Sequence, residues 1–477
     1  MKPRDGLRSR FPAGSLAISA LELCFFLGFC WAAAGPSAAA AQPAQAYVDA
    51  EPNPFRPHLL AERQARVLDA FPRGIVILKA NERLKEMEQP SWIQDPDFLY
   101  LTGLAELPSA ILVLDGPARR AVLFAPPAPH SFGLPLEDRD VRTDSSITSR
   151  TGIPSILDWS HFGPYVEGRL RDGVDTLYTS APRRPDDPGA PADMRAVAGR
   201  HAVWANALEQ RFPEAVVASA RPALLRLRWI KSPDEVAQLR LNAAMSAHAL
   251  LEGMRAVRPD VRQRVLEGTV VAACLEAGAT APSFWPWMMA GANAHIHRLV
   301  TSFLSYSGLD RRVQEGELLR ADIGCQAGQY GGDVGRTVPV SGQFSPEQAV
   351  VWDLLVEAYR AGIAVMGPGV PLDSVRATSR AYLLAAADAS HGTALARAMA
   401  HLTSGVDWHV HGIGIESAET PLPVLEAGTV IAYEPMFIHG PDAYYLEDMI
   451  LITPDGAEIL TSDLPTTAAE IGRINRP

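Results

Sequence analysis

Two aspartates eleven residues apart carry the first chemical signal in the chain. The stretch ADIGCQAGQYGGDVGRTVPV, Ala321 to Val340, reads as two short strands joined by a Gly-rich turn, with Asp322 on one strand and Asp333 on the other. They are equally far from a turn centred between Ala327 and Gly328, which sets the carboxylates directly opposite each other on one face. Cβ atoms so paired lie about 5 Å apart, and like charges there repel. Burial worsens the repulsion unless something positive sits between them. Leu318, Leu319, Ile323, Val334, Val338 and Val340 predict a buried sheet, so a dication is the simplest way to keep both aspartates ionised. The competing reading is an exposed acidic hairpin. Three further candidates lie downstream: His411 opens HGIGIESAETP, Glu434 lies in TVIAYEP, and Glu447 lies in YYLEDMILIT. Both glutamates fall in apolar strand patterns, where a Glu is seldom buried unless paired or coordinated. Two Asp, two Glu and one His form a hard-oxygen set with one imidazole. That set suits a pair of divalent ions such as Mn2+, Co2+ or Zn2+ and not a thiolate site. No HExxH helix occurs, so a mononuclear zinc peptidase of that type is not indicated.

The elements that position these residues repeat. Ser232-Pro233-Asp234-Glu235 is a capping box with Pro at the first helical position, predicting a helix to about Val257. Ser345-Pro346-Glu347-Gln348 repeats the device, with a helix to about Met366. Each helix ends near a proline (Pro259, Pro368), and a second helical stretch and then strands follow. This predicts a duplicated α+β unit with a site in the cleft between its halves. Ahead of it, His58 to Phe71 has helical spacing. Gly74 to Ala80, Asp97 to Gly103, Ser109 to Asp115, Arg120 to Pro126 and Val174 to Ser180 read as strands, and helix is expected between about Asp193 and Phe212. Strands interleaved with helices indicate an α/β or α+β domain. Pro126 to Pro135 and Ala181 to Pro191 read as exposed loops, and this half carries no ligand cluster.

With 477 residues the chain has room for two or three domains. A net charge of -11 with no basic block argues against nucleic-acid binding. Residues 1–46 have the layout of a secretory signal peptide. Lys2, Arg4, Arg8 and Arg10 precede an apolar run that is strongest from Leu23 to Ala34, and small residues around Ala44-Gln45-Ala46 suit a signal peptidase. Export to the periplasm or beyond is therefore expected, with an uncleaved N-terminal membrane anchor as the alternative. No later apolar run is long enough to span a membrane, so the mature form is expected to lack one. Removing the segment takes Cys24 and Cys30 with it and leaves Cys274 and Cys325, either as a disulfide or as two buried thiols.

The order DxG, DxxRT eleven residues on, HxIG, EP and ED resembles the pita-bread metallopeptidases, a group that includes methionine aminopeptidases, aminopeptidase P and prolidase. The resemblance spans roughly Leu227 to Thr453, and FRPHLLAERQ and DFLYLTG upstream look like the creatinase-type N-terminal domain of aminopeptidase P and prolidase. It implies a pita-bread (duplicated α+β) catalytic domain over 227–477, preceded by a smaller α/β creatinase-like domain over 47–226. Asp322, Asp333, His411, Glu434 and Glu447 fall on family metal-ligand positions for two divalent ions, Mn2+ first, with Co2+ or Zn2+ as alternatives. Asp322 and Glu447 would bridge the ions, Asp333 would complete one, and His411 with Glu434 the other. Glu434 would accept the proton of the nucleophilic water. His297 in GANAHIHRL would be the first substrate-contacting His, with His295 its rival. The implied reaction is cleavage between an N-terminal residue and proline, on peptides with proline at the second position, by a hydroxide activated between two ions. The alternatives are an Xaa-Pro dipeptidase, or a metal-binding homologue with altered substrate or weak catalysis. Two departures motivate the last. Ala418 stands where HxIGxxxHE has its second His, and Tyr445 stands where an Arg usually precedes the last Glu by two residues. His295, His401, His409 and His439 are the histidines left to replace the missing one, and His409 shares a strand face with His411. Whether the chain forms a homodimer or a homotetramer is left open.

Overall fold

Three strands with near-continuous apolar runs, Ile75–Lys79, Ile111–Asp115 and Arg120–Ala125, form an antiparallel meander at the centre of a six-stranded sheet. Ser155–Asp158 extends one edge in parallel, and Thr176–Thr179 and Val216–Ser219 extend the other. Because the central strands are apolar on both faces, both faces need cover. Val67 and Leu68 of the helix Pro57–Ala70 pack on one side. Val166 of Phe162–Arg171 and Leu208 of Arg200–Arg211 pack on the other. The sequence is described by a computed structural model over residues 53–82, 93–127, 130–131, 134–135, 140–180, 200–295, 298, 306–389, 392–401 and 408–474. The expected signal segment, His297 and the Pro-rich stretch 181–191 lie outside the described residues.

One expected strand is a helix. Asp97 to Thr102 lies within the helix Pro96–Thr102, which starts where the Asp95 side chain accepts from the amides of Asp97 and Phe98 and stops at Gly103 in the left-handed conformation. Pro96 at the first turn and the Asp95 cap favour helix. The apolar run conceals it because every residue of this seven-residue helix is buried, so no amphipathic period shows. Two short strands, His130–Ser131 and Leu134–Pro135, pair antiparallel within the stretch expected to be loop.

Both predicted capping boxes form, at Ser232 and Ser345, each with the side chain accepting from the third helical amide and the Glu or Gln there reaching back. The first opens Pro233–Ala256. The second opens Pro346–Ile363, which stops three residues short of the expected end. Pro233–Ala256 and Gln263–Glu276 back a three-stranded antiparallel sheet of Trp287–Ala290, Leu318–Ile323 and Val334–Pro339. The second unit has helices Pro346–Ile363, Leu372–Asp388 and Thr393–Ala400. Its sheet runs Trp408–Gly412, Val430–His439, Asp448–Thr453, Gly456–Ile459, with Asp442–Tyr445 folded back onto Val430–His439. The two sheets join where Gly335 and Glu447 exchange backbone hydrogen bonds (3.2 and 2.9 Å) and Thr337 Oγ1 bonds both N and O of Tyr445. This is the duplicated α+β, pita-bread arrangement, and the junction of its two sheets is where the candidate ligands meet. No helix among the described residues is long and apolar enough to cross a membrane.

Candidate metal centre

The Asp322–Asp333 hairpin is real, but its register differs from the simple expectation. The turn is centred one residue later: Ala327 and Tyr330 bond each other across Gly328 and Gln329, both at positive φ (56° and 66°). That is the signature of a type I′ turn, whose twist matches paired strands. Register then pairs Asp322 with Gly335, not with Asp333. Asp333 falls just before its strand, diagonal to Asp322 and on the same face, which eases the direct repulsion without removing it. Gly324 is required where the strands pinch, since a Cβ there would lie 1.8 Å from the Gly332 carbonyl oxygen. Beyond it Cys325–Gln326 leaves to pair with Ala281–Pro282, and Cys325 is disulfide-bonded to Cys274.

His411 and Glu434 come from neighbouring antiparallel strands, Trp408–Gly412 and Val430–His439. Glu447 is not inside a strand as its apolar setting suggested. It occupies the single bridge to Gly335 between Asp442–Tyr445 and Asp448–Thr453. The flanking motif residues explain its placement. Arg336 Nη1 donates to the Glu447 carbonyl (2.6 Å) and Nη2 pairs with Asp448 (2.8 Å), which also accepts from Tyr359 and Thr461 hydroxyls. The Arg of DxxRT thus grips the Asp of ED and locks Glu447 over the cleft. His411 Nδ1 sits 3.0 Å from the Gly412 carbonyl, leaving Nε2 towards Glu434 Oε1 (3.3 Å), Asp333 Oδ2 (3.6 Å) and Glu447 Oε1 (3.6 Å). Asp333, His411 and Glu447 therefore form one group of mutually close donor atoms, and His409, His411 and Glu434 another. Asp322, also buried, lies to the side, its Oδ2 paired with Arg320 Nη2 at 2.6 Å.

The electrostatics are those of a cation site. Burial, reinforced by Glu447 and Glu434 against the pull of Arg320, pushes the Asp322 carboxyl up to about 7. Burial, Glu447 and Asp322 push Asp333 well above the usual carboxylate range, and burial with Glu434 raises Glu447. Glu434 goes the other way: burial opposes ionisation, but His409 and His411 outweigh it and hold the carboxyl low. His411 is held high because the Glu434 and Glu447 carboxylates outweigh its burial. Asp333 Oδ1 and Glu447 Oε1 are buried with no hydrogen-bond partner among the described residues. Crowded carboxylates that resist ionisation and point orphaned oxygens inward fit divalent ions in both charge and donor type.

Two participants escape a reading of ligand types alone. Arg320, buried two residues before Asp322, brings a fixed positive charge into the site and lies 3.9 Å above the Tyr445 ring. A charged residue in LLRADI, a strand buried at every position, is the sequence signal that could have found it. Tyr445, one of the two departures, donates its hydroxyl to Glu447 Oε2 (2.6 Å) and places the same oxygen 3.0 Å from Glu434 Oε2, so it lies between two of the candidate ligands. At the other departure Ala418 is exposed, while Glu419 beside it is buried against Arg228 and Lys231. Of the four histidines considered as replacements, His409 lies at the cluster. His295 contacts the Pro441 carbonyl (3.0 Å), His439 an exposed Glu347 (3.3 Å), and His401 caps the exposed end of Thr393–Ala400.

Comparison with known proteins identifies what the two halves of the chain resemble. Residues 237–454 match metallopeptidase family M24, and residues 60–132 match the aminopeptidase P, N-terminal domain. The chain is 26% identical over 444 residues to the Xaa-Pro aminopeptidase of Escherichia coli (strain K12), covering 86% of this chain and 95% of that relative. Its fold is that of Pseudomonas aeruginosa aminopeptidase PepP (TM-score 0.69, 24% identity, 88% of this chain and 98% of that one). It is likewise that of proline aminopeptidase P II from Yersinia pestis (TM-score 0.70, 22% identity, 87% and 98%). With the M24 match lying over every candidate ligand and the aminopeptidase P N-terminal match ahead of it, the chain is a hydrolase that carries a metallopeptidase family M24 domain over residues 237–454.

Proposed function

We propose that the protein is a two-ion aminopeptidase that releases the N-terminal residue from peptides with proline in second place. The observation that carries the reading is convergence: Asp333, His411, Glu434 and Glu447, all buried, bring their donor atoms together, and buried Asp322 stands close enough for Glu447 and Glu434 to raise its carboxyl. A relative matched along nearly its whole length is an Xaa-Pro aminopeptidase, which supports the substrate class. In this reading Asp322, Asp333, His411, Glu434 and Glu447 hold two divalent ions, with Mn2+ expected from the oxygen-rich set. When bound, the ions polarise the scissile carbonyl and supply a water of near-neutral pKa.

The division of ligands differs from the one the resemblance implied. Asp333 and Glu447 both face His411, so these residues with Glu434 would hold the ion nearest the imidazole, and Asp322, paired with Arg320, would contribute to the other. In this reading Glu434, on the strand facing His411, accepts the proton of the attacking water. The Tyr445 hydroxyl fixes the spacing of Glu434 and Glu447, and the Gly412 carbonyl fixes the His411 ring so that Nε2 faces the cleft. Action outside the cytosol is supported by the signal-like N-terminus together with the Cys274–Cys325 disulfide, a bond favoured in oxidising compartments.

The test is hydrolysis by purified, Mn2+-loaded protein. Xaa-Pro-Xaa tripeptides should lose their first residue while Xaa-Pro dipeptides persist. Glu434→Gln should lower kcat by about 10²–10⁴-fold, the usual worth of a general base. Cleavage of dipeptides alone would transfer the reading to a dipeptidase. Bound metal without turnover on any Xaa-Pro peptide would sink it.

A further inference from the structure

We propose that His409 is a sixth metal ligand, so that the ion position on the His411 side is held by two imidazoles and selects a borderline dication such as Zn2+ or Co2+ over Mn2+. The inference rests on the reading that this cluster binds dications and adds a residue and a selectivity to it.

The local sequence is His409-Val410-His411 on one strand, and alternate strand residues share a face. Register sets His409 directly across from Glu434 on the neighbouring strand, so both imidazoles and the carboxylate project from the same side of the sheet. Each of the three offers a donor atom within 4.8 Å of the other two. His409 Nδ1 contacts Glu434 Oε1, and the same oxygen lies 3.3 Å from His411 Nε2. Ligands about 2.0–2.1 Å from a tetrahedral ion stand roughly 3.3–3.4 Å apart, so the His411–Glu434 edge already has the length a bound ion requires, and His409 Nδ1, now in direct contact with Oε1, would withdraw to that spacing on coordinating. The rings are 5.5 Å apart and tilted by 49°, which lets both nitrogens address a common point. The His409 side chain is 46% exposed, against 9% for Glu434. It stands on the solvent side, where it can close one face of an ion that the buried ligands hold from below.

The two ion positions are then chemically unequal. The far position has only carboxylate oxygens, and its Asp322 is shared with the Arg320 cation. The near position adds two imidazoles, which suit zinc and its neighbours better than manganese. The first equivalent of Zn2+ should therefore settle beside His409.

The alternative is that His409 merely hydrogen-bonds Glu434. Affinity alone does not separate the two, because removing an outer hydrogen-bond partner of a ligand also weakens binding by 10–100-fold. X-ray absorption at the zinc edge does, since it counts imidazoles. Full-chain protein stripped of metal and given one equivalent of Zn2+ should show two imidazoles per zinc, and His409→Ala should show one. His409→Gln keeps a hydrogen-bond donor opposite Glu434 but offers a poor ligand, so it too should show one. Competition against a chelating dye should find Zn2+ affinity down about tenfold or more in both variants, with Mn2+ affinity less affected. One imidazole in the wild type, or full recovery of Zn2+ affinity in His409→Gln, would overturn the assignment while leaving the two-ion reading standing. A wild-type chain that retains no dication would overturn both.

Discussion

Arg320 sets the balance of charge at the level of single residues. Four carboxylates crowd the cleft, and its guanidinium offsets one of them through the 2.6 Å contact with Asp322, stacked meanwhile on Tyr445. Under the proposed two-ion reading, two dications and the four carboxylates would cancel, and the Arg320 charge would leave the loaded site one unit positive. Before loading, Arg320 is the cation nearest Asp322, and breaking a buried pair by removing one partner costs about 3–5 kcal/mol. Arg320→Met should therefore destabilise the metal-free protein strongly. In saturating Mn2+ the proposed ion would take over the task of neutralising Asp322, and binding to the native state would add stability by mass action. Urea unfolding of wild type and variant, in EDTA and in Mn2+, gives the comparison. The expected result is a deficit that shrinks by at least half with metal. Equal deficits under both conditions would show that Arg320 serves packing alone.

At the level of elements, the sheet junction depends on Gly335. A Cβ there would lie 2.1 Å from Tyr445 Cε1 and 3.0 Å from the Ala321 carbonyl oxygen, so the Tyr445 ring occupies the space a side chain would take. Tyr445 in place of the expected Arg and a bare backbone at 335 are thus one coordinated arrangement. Gly335→Ala must displace the ring, and overpacking of this kind typically costs about 1–3 kcal/mol. It should also part the Tyr445 hydroxyl from Glu434 and Glu447. Adding Tyr445→Ala should return part of the lost melting temperature, giving a non-additive double-mutant cycle; simple additivity would refute the coupling. These elements also mark the limit of what the sequence disclosed. The candidate ligands were legible because Asp and Glu inside apolar strands demand an explanation, and the helix starts because capping boxes are local. Register was not: it hinges on a type I′ turn with Gln329, a residue not expected at positive φ, and moving the turn centre by one residue exchanges Asp333 for Gly335 opposite Asp322. Nor was the helix Pro96–Thr102, whose burial all round erases its period. The disulfide was one of two open readings, since pairing depends on where the helix Gln263–Glu276 lies against Cys325.

For the whole molecule, the six-stranded N-terminal sheet and the ligand-bearing sheets are tied through buried charge as well as apolar contact. Arg63 pairs with Glu235 (3.2 Å), which also accepts from the Tyr330 hydroxyl at the hairpin turn (2.8 Å). Arg228, in the helix Arg221–Trp229, reaches Asp97 (3.1 Å) in the first half and Glu416 (2.7 Å) and Glu419 (2.6 Å) in the loop after His411. Lys231 adds a second cation to Glu419 at 2.8 Å. Burial alone would raise the Glu419 carboxyl, but Lys231 and Arg228 outweigh it and hold it below the ordinary value. A carboxyl depressed on folding contributes stability that is present above its unfolded value, near 4.5, and is lost as pH falls through the depressed one. Arg228→Met preserves bulk but leaves Asp97 without the cation facing it and Glu419 with Lys231 alone. At pH 8 the cost should be about 3–5 kcal/mol, the usual consequence of orphaning a buried charge. At pH 5 it should be smaller, because the abandoned carboxyls now have raised values and take up protons, a gain open to the variant and not to the wild type. Denaturant midpoints at the two pH values measure the difference. A deficit that stays constant, or grows on acidification, would mean that Arg228 joins the halves by shape and not by charge.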